Sequence, residues 1–422
     1  MKKLLLSSLI LGALWSCNDS DDVVNNQDIN YSKLPQEFPF TTVATVNGVA
    51  VINGGFGSGA TAHPTRKGEF YVITDRGPNT AYLDGIKFLV PNFTPTIMHF
   101  KINADGNIEV LKYIKLKNPS GQPITGLPNP AGMGSTGEIA YGANGNPLGT
   151  DNYGLDSESI VAAPDGTFWV SDEYGPHIVH YNADGVEMER ISPIGVNTGT
   201  RKLPAVFAKR RPNRGMEGMC MTPDGKMLVG TMQSTMYVPT KVLATNTTLT
   251  RIVTFDLVTG KTKQYLYKQD GGASDSVCDI TAISSTEFLV IERDGKFGSQ
   301  GGLKKVYRIN LAGASDVSGT DLAAVDGLKI NGNKALEEST WAEIAAAGLQ
   351  PVSKTLAVDL VAKIGYEHDK FEGIVYLGGN KLAIFNDDDF GVTDDGNGNP
   401  KAKILPKTGK VDKGTMYVVD IQ

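Results

Sequence analysis

Four short apolar strands in this chain open on an acidic residue. Thirteen or fourteen residues later each is answered by a second strand ending in acidic or polar residues. The pairs are Glu158 with Ser171-Asp172-Glu173, Glu217 with Gly230-Thr231, Asp279 with Glu292-Arg293-Asp294, and Glu372 with Asn386-Asp387-Asp388-Asp389. Carboxylates at equivalent positions of a repeat repel one another unless they share a cation or find counter-charges. Ca²⁺ takes about six to eight hard oxygen donors, so Asp75, Glu158, Asp172, Glu217, Asp279, Glu292 and Glu372 are the candidate metal ligands, with Glu173 in the same ring. A zinc site would want imidazole or thiolate, and the five histidines show no clustered spacing.

The cations beside these acids suggest what the ring works on. Arg76, Arg214 and Arg293 can hold an anionic substrate through bidentate contacts. Glu217, Glu173 and Asp172 are the candidate acid–base groups, and His177, in Gly175-Pro176-His177, is a candidate proton donor. The alternative is structural: the same acids pair with Arg76, Arg214, Arg293 and Lys370. A serine nucleophile has little support, because no G-x-S-x-G string is present.

Such a ring requires elements that repeat. Strand, Gly-containing turn and strand recur at a period of roughly sixty to ninety residues, which is the signature of an all-β propeller whose innermost strands line a central channel. The first blade covers 58–116 and the second runs from Asp156 to about Gly195. The third spans 216–268, the fourth starts at Cys278 and the fifth at Phe371. Asn103-Ala104-Asp105-Gly106, Asn182-Ala183-Asp184-Gly185 and Pro223-Asp224-Gly225 are the turn signals. A Gly-, Pro- and Asn-rich stretch, 117–154, is a loop insertion or hides a sixth blade, so the count is five to six. Residues 334–348 are expected to form a short amphipathic helix in the fourth blade. The last blade is a strand short, and 42–52 is expected to supply it by pairing with 414–421.

The N-terminus is an export signal rather than structure. Met1-Lys2-Lys3 is basic, 4–14 is apolar and too short to span a bilayer, and Leu14-Trp15-Ser16-Cys17 resembles the lipobox of bacterial lipoproteins. That resemblance makes Cys17 the lipidated residue after a signal peptide of 1–16. A polar tether follows over 17–36, and the domain over 37–422. The expected location is the bacterial cell envelope, at the outer membrane and its surface, with the membrane met only through the lipid. A net charge of −6 with interspersed signs argues against nucleic acid. Aligning the repeats offsets Cys220 from Cys278 by about four residues, or roughly 13 Å of strand rise. A disulfide spans no more than about 7 Å between Cα atoms, so two free thiols are expected.

Several strings in fixed order now identify a family. D-R-G-P-N at 75–79, D-S-E-S-I at 156–160, S-D-E-Y-G-P at 171–176, N-R-G-M-E-G-M at 213–219, E-R-D at 292–294 and K-F-E-G-I at 370–374 resemble the phytase-like family, called esterase-like activity of phytase. The resemblance spans roughly 45–420. It implies an exported propeller and, by the family's name, hydrolysis of a phosphoester or carboxyl ester, with a small anionic or sugar-derived substrate and a monomeric chain. The alternatives are a surface module that binds glycan or protein, with Trp169 and Tyr174 as stacking candidates, and a lactonase-type propeller with one Ca²⁺ in its channel.

Overall fold

The structure, a computed structural model, describes residues 29–422; the lipobox, Cys17 and the start of the tether lie outside the described residues. Alternating apolar residues build five four-stranded antiparallel sheets. Blade 1 comprises Gly59–Ala62, Glu69–Ile73, Thr96–Ile102 and Ile108–Lys115, and blade 2 comprises Ser157–Ala162, Phe168–Asp172, Ile178–Tyr181 and Glu187–Ile191. Blade 3 is Met216–Met221, Met227–Met232, Leu249–Asp256 and Thr262–Lys268, and blade 4 is Ser276–Ala282, Glu287–Arg293, Lys304–Asn310 and Ser353–Asp359. Blade 5 is Gly373–Gly378, Lys381–Phe385 and Thr415–Asp420, completed by Gln36–Glu37.

The first strand of each blade touches the first strand of the next, and the fifth touches the first, so the ring is closed. The chain is a five-bladed β-propeller. The apolar residues pack between neighbouring blades. Trp169 and Ile178 of blade 2 meet Met219 and Phe255 of blade 3. Val229 and Ile252 of blade 3 meet Ile280 and Val290 of blade 4. Phe70 and Phe100 of blade 1 meet Phe385 and Met416 of blade 5. Each such side chain contributes about 1.5–3 kcal/mol on burial, so the inter-blade seams hold the ring. The Asn-Ala-Asp-Gly hairpins form as the sequence suggests, with Gly106 and Gly185 at φ of 82° and 76°.

Four expectations change. Residues 42–52 do not close the last blade: Thr42–Val46 pairs with Val49–Ile52 as a separate hairpin, and the closing strand is Gln36–Glu37, antiparallel to Thr415–Asp420. The earlier segment wins because a two-residue pairing suffices there, and Phe38 anchors it in the core beside Phe100 and Phe385. Ile29, Tyr31 and Leu34 also pack on that core, so the ordered fold begins inside the span assigned to the tether. The 117–154 stretch holds no sixth blade, since its one strand, Ile139–Gly142, extends a small sheet with Asn79–Tyr82 and Gly85–Phe88. The expected helix of 334–348 is broken. Leu336–Glu338 is a 3₁₀ turn, and the α-helix proper is Trp341–Ala346, started by Thr340, whose side chain accepts the Glu343 N–H. Among the described residues no helix is long and apolar enough to cross a membrane.

Candidate functional site

The inner strands are not regular where they carry acids. In blade 2 the pairing slips between Ser157 and Ser159, leaving Glu158 as the extra residue. In blade 3 it slips between Met216 and Gly218, leaving Glu217. In blade 4 the slip falls between Val277 and Ile280, over Cys278 and Asp279. A β-bulge re-aims the side chain it carries, and the bulges of blades 2 and 3 bring Glu158 and Glu217 to line the cavity.

Glycines let the strands crowd there. A Cβ on Gly218 would lie 2.7 Å from the Cys278 carbonyl oxygen and 2.8 Å from the Asp279 Cα. One on Gly215 would lie 2.2 Å from the Glu173 carbonyl oxygen. These two glycines of the N-R-G-M-E-G-M string bring Glu217 against blades 2 and 4. They also show that Gly218 lies against Cys278 and Asp279, so Cys278 is the blade 4 residue level with Glu217. Cys220 lies farther along the channel, and both thiols are buried and free.

A cavity of about 230 Å³ opens at this mouth, and all fifteen of its lining residues are polar or charged. Seven are acids (Asp75, Asp156, Glu158, Glu173, Glu217, Glu372, Asp389) and four are cations (Arg76, Arg214, Arg293, Lys370). Most of the cations are engaged. Arg293 pairs with Glu372, and Lys370 with Asp387 and Asp389. Arg76 lies 3.4 Å from Asp156 and 3.5 Å from Glu138, and donates to Asn213 at 2.8 Å. Arg214 instead donates to the carbonyls of Ser274 and Asp275, both at 3.1 Å, and meets no carboxylate within 4.0 Å among the described residues.

The acids left without a cation are Asp75, Glu158, Glu173 and Glu217, of which Asp75 accepts the Gly77 N–H at 2.8 Å. Burial, then the charges of Glu217 and Asp156, hold Glu158 and Glu173 well above the ordinary carboxylate range. Burial raises Glu217 too, against the pull of Arg293. Glu173 Oε1 and Glu217 Oε2 are buried without a hydrogen-bond partner. Ligand atoms of Asp156, Glu158 and Glu173 come within 4.8 Å of one another, as do those of Glu217, Cys278 and Glu372. The first set offers hard oxygens only, the chemistry that suits Ca²⁺.

Of the sequence-derived residues, Asp75, Glu158, Glu173, Glu217, Glu372, Arg76, Arg214 and Arg293 are brought together at the cavity. Asp172, Asp279, Glu292 and His177 are not. Asp172, fully buried, accepts the backbone N–H groups of Asp156, Tyr174 and Gly175 and so shapes the loop that carries Glu173. Asp279 accepts the Ser159 hydroxyl at 3.1 Å and the Ile280 and Ile374 N–H groups at 2.9 and 3.0 Å, tying three blades together. Glu292 accepts from Tyr267 Oη at 2.5 Å and from the Asp270 N–H at 3.0 Å, and pairs with Lys354. His177 is buried behind the loop against Gly134 and Gly175, and burial holds its ring well below the usual imidazole pKa. Trp169 stacks on His180 in the core, and the Tyr174 hydroxyl donates to Gly126 O, so neither offers a face to the cavity.

The residues that sequence reasoning missed had readable signals. Asp156 stands two places before Glu158 in D-S-E-S-I, just ahead of the strand Ser157–Ala162. Asn213 precedes Arg214 and adopts φ of 51°, a conformation Asn tolerates. Gln233 and Ser276 carried no signal. The opposite mouth is a different place: its cavity of about 320 Å³ is lined by residues such as Ala60, Ile160, Met219 and Val375, and by no carboxylate.

The model of the phytase-like family, described as esterase-like activity of phytase, matches residues 52–390, and the chain belongs to that family. An uncharacterized secreted protein of Arthroderma benhamiae is 26% identical over 376 residues, covering 72% of this chain and 71% of that one. Among solved structures, the aldose sugar dehydrogenase of Streptomyces coelicolor in its PQQ-bound form is 11% identical with a TM-score of 0.34, covering 92% of this chain and 100% of that one. Virginiamycin B lyase of Staphylococcus aureus is 13% identical with a TM-score of 0.30, covering 82% and 96%. The assignment of five blades rests on the strand topology itself.

Proposed function

We propose that this member of the phytase-like family is an exported, lipid-anchored hydrolase that cleaves a small anionic ester, a phosphoester or carboxyl ester, at the acidic channel mouth with the help of Ca²⁺. The observation that carries the reading is the imbalance in the cavity. Among the described residues, Glu173 and Glu217 keep buried oxygens without partners, while Arg214 donates only to carbonyls and meets no carboxylate within 4.0 Å. Burying ionisable groups in that state costs stability and is retained where a ligand completes them. A secreted relative supports export, and Ser16-Cys17 supports the anchor.

In this reading Arg214 holds the anionic group of the substrate. Arg293, already neutralising Glu372, fixes that side of the cavity. Glu217, aimed at the axis by its bulge and buried beside Glu173, takes the proton of the attacking water and returns it to the leaving oxygen. A bound Ca²⁺ supplies Lewis-acid polarisation of the ester oxygen. Asp172 and His177 support the loop that carries Glu173, without contact with the substrate.

The test is a panel of phosphomonoesters, phosphodiesters, short acyl esters and lactones, assayed with Ca²⁺ and with chelator. The expected result is calcium-dependent turnover that falls by about 10²–10⁴-fold in Glu217→Gln. Arg214→Gln should raise KM for anionic substrates most. No turnover across the panel, with tight binding of a glycan or protein, would replace the hydrolase with a surface-binding propeller.

A further inference from the structure

We infer that one hard divalent cation of the Ca²⁺ class is seated on Asp156, Glu158 and Glu173, and not on the full ring of repeat acids or on the neighbouring Glu217–Cys278–Glu372 group. This rests on the hydrolase reading for its use, but not for its existence.

Each candidate group has one acid beside an arginine, Asp156 by Arg76 and Glu372 by Arg293, and the two differ in their other donors. Glu372 is already paired with Arg293, and a thiol beside two carboxylates is a poor donor set for a hard ion. The Asp156 group offers three carboxylates whose ligand atoms lie within 4.8 Å of one another. That span fits a central ion at the roughly 2.3–2.6 Å typical of calcium–oxygen bonds. The independent observation is Glu173, a residue lining the cavity, whose Oε1 is buried and without a hydrogen-bond partner among the described residues. Glu173 is only 3% exposed, so solvent does not satisfy it. Glu158 likewise lines the cavity, and no donor side chain or N–H is bonded to it, in contrast to Asp172, Asp279 and Glu292, whose oxygens are used by the fold.

Asp156 is pre-positioned for the role. Its Oδ1 accepts the Arg76 N–H at 3.2 Å, and Oδ2 lies 3.4 Å from the Arg76 guanidinium. The ordering of Asp156 through Arg76 makes Arg76 a positioning residue of the seat and leaves Arg214 as the substrate cation. The seat also explains the bulge at Glu158: without the extra residue, strand alternation would keep residue 158 from meeting Glu173 of the next strand at this point of the ring.

The test uses the purified mature chain, stripped with chelator, and calorimetric titration with CaCl₂ alone. One ion per chain is expected. Glu173→Gln and Asp156→Asn should each weaken it at least tenfold, and Cys278→Ala should change it by less than twofold. Circular dichroism checks each variant. Should Asp156→Asn unfold through loss of its hold on Arg76, Glu158→Gln, which gives up no protein hydrogen bond, takes its place with the same expectation. Calcium should also raise Tm in wild type and not in Glu173→Gln. Unchanged affinity in Glu173→Gln and Glu158→Gln, or loss of binding in Cys278→Ala, would overturn the assignment, as would the absence of any binding to wild type. Calcium bound at this seat without turnover on any ester would sink the hydrolase and leave the seat standing. Turnover that survives chelation would remove calcium from the hydrolase reading, while the titration alone decides the seat.

Discussion

Blade 4 on the one hand, and blades 2 and 3 on the other, carry acids at matching places in the repeat and use them in opposite ways. Glu158 and Glu217 stand on bulges and face the cavity with oxygens no backbone group uses. Asp279 is one step deeper, level with Gly218, and each of its oxygens is taken by a hydroxyl or an N–H. Blade 2 shows the same division within two adjacent residues: Asp172 is spent on three loop N–H groups, Glu173 on none. The lesson is that an acid's role in this propeller follows from whether the backbone has already satisfied it, not from its place in the repeat.

The comparison breaks first at Asp279. Asp279→Ala leaves two buried N–H groups unpaired and loosens three blades, and should destabilise the fold by about 3–5 kcal/mol, read by urea unfolding. Calcium affinity should be unchanged in the fraction that folds. Loss of calcium binding with normal stability would return Asp279 to the metal ring.

Acidity sharpens the contrast next. Burial pushes Asp172 up from 3.8 to about 6. The folded state therefore holds that proton over a pH range where the unfolded chain has released it. From this group alone, stability in chelator should fall as pH rises from about 4 to about 6, by about 3 kcal/mol. Glu158, Glu173 and Asp75 are displaced in the same direction, by burial first, and add to the fall. Saturating calcium should flatten the part due to Glu158 and Glu173 and leave the part due to Asp172. An unfolding series over pH, with and without the ion, separates the two kinds of acid.

Glu292→Gln probes a structural acid that still has cationic help. It weakens the hold on Lys354 while keeping an acceptor for the Tyr267 hydroxyl, so a loss of about 2 kcal/mol is expected, with calcium affinity intact. Glu217→Gln should show the smallest stability effect. It removes one charge from a crowded buried group, so in chelator the variant should be as stable as wild type or up to about 1 kcal/mol more so, even as turnover is lost. A large destabilisation there would mean Glu217 is structural after all.

Composition and pattern sufficed for much of this. A propeller of five to six blades, its Asp-Gly turns and eight of the residues at the cavity follow from period, alternation and the acids' recurrence, because propeller repeats are local and each blade writes its own strands. The linked strings from D-R-G-P-N to K-F-E-G-I carried the family. Sequence also supplied Glu217 and Arg214 as neighbours in a single string.

What it could not supply was register. Glu217 and Asp279 look equivalent when counted along the chain, but the bulges and the close approach of Gly218 make Cys278 the true counterpart, and a one-residue shift in a strand reverses which face a side chain takes. Closure by Gln36–Glu37 instead of 42–52 was likewise decided by packing, since both segments have strand character and only Phe38 reaches the seam between blades 5 and 1. Whether an acid is free or spent depends on N–H groups from neighbouring blades tens of residues away, and those partners exist only once the ring has closed.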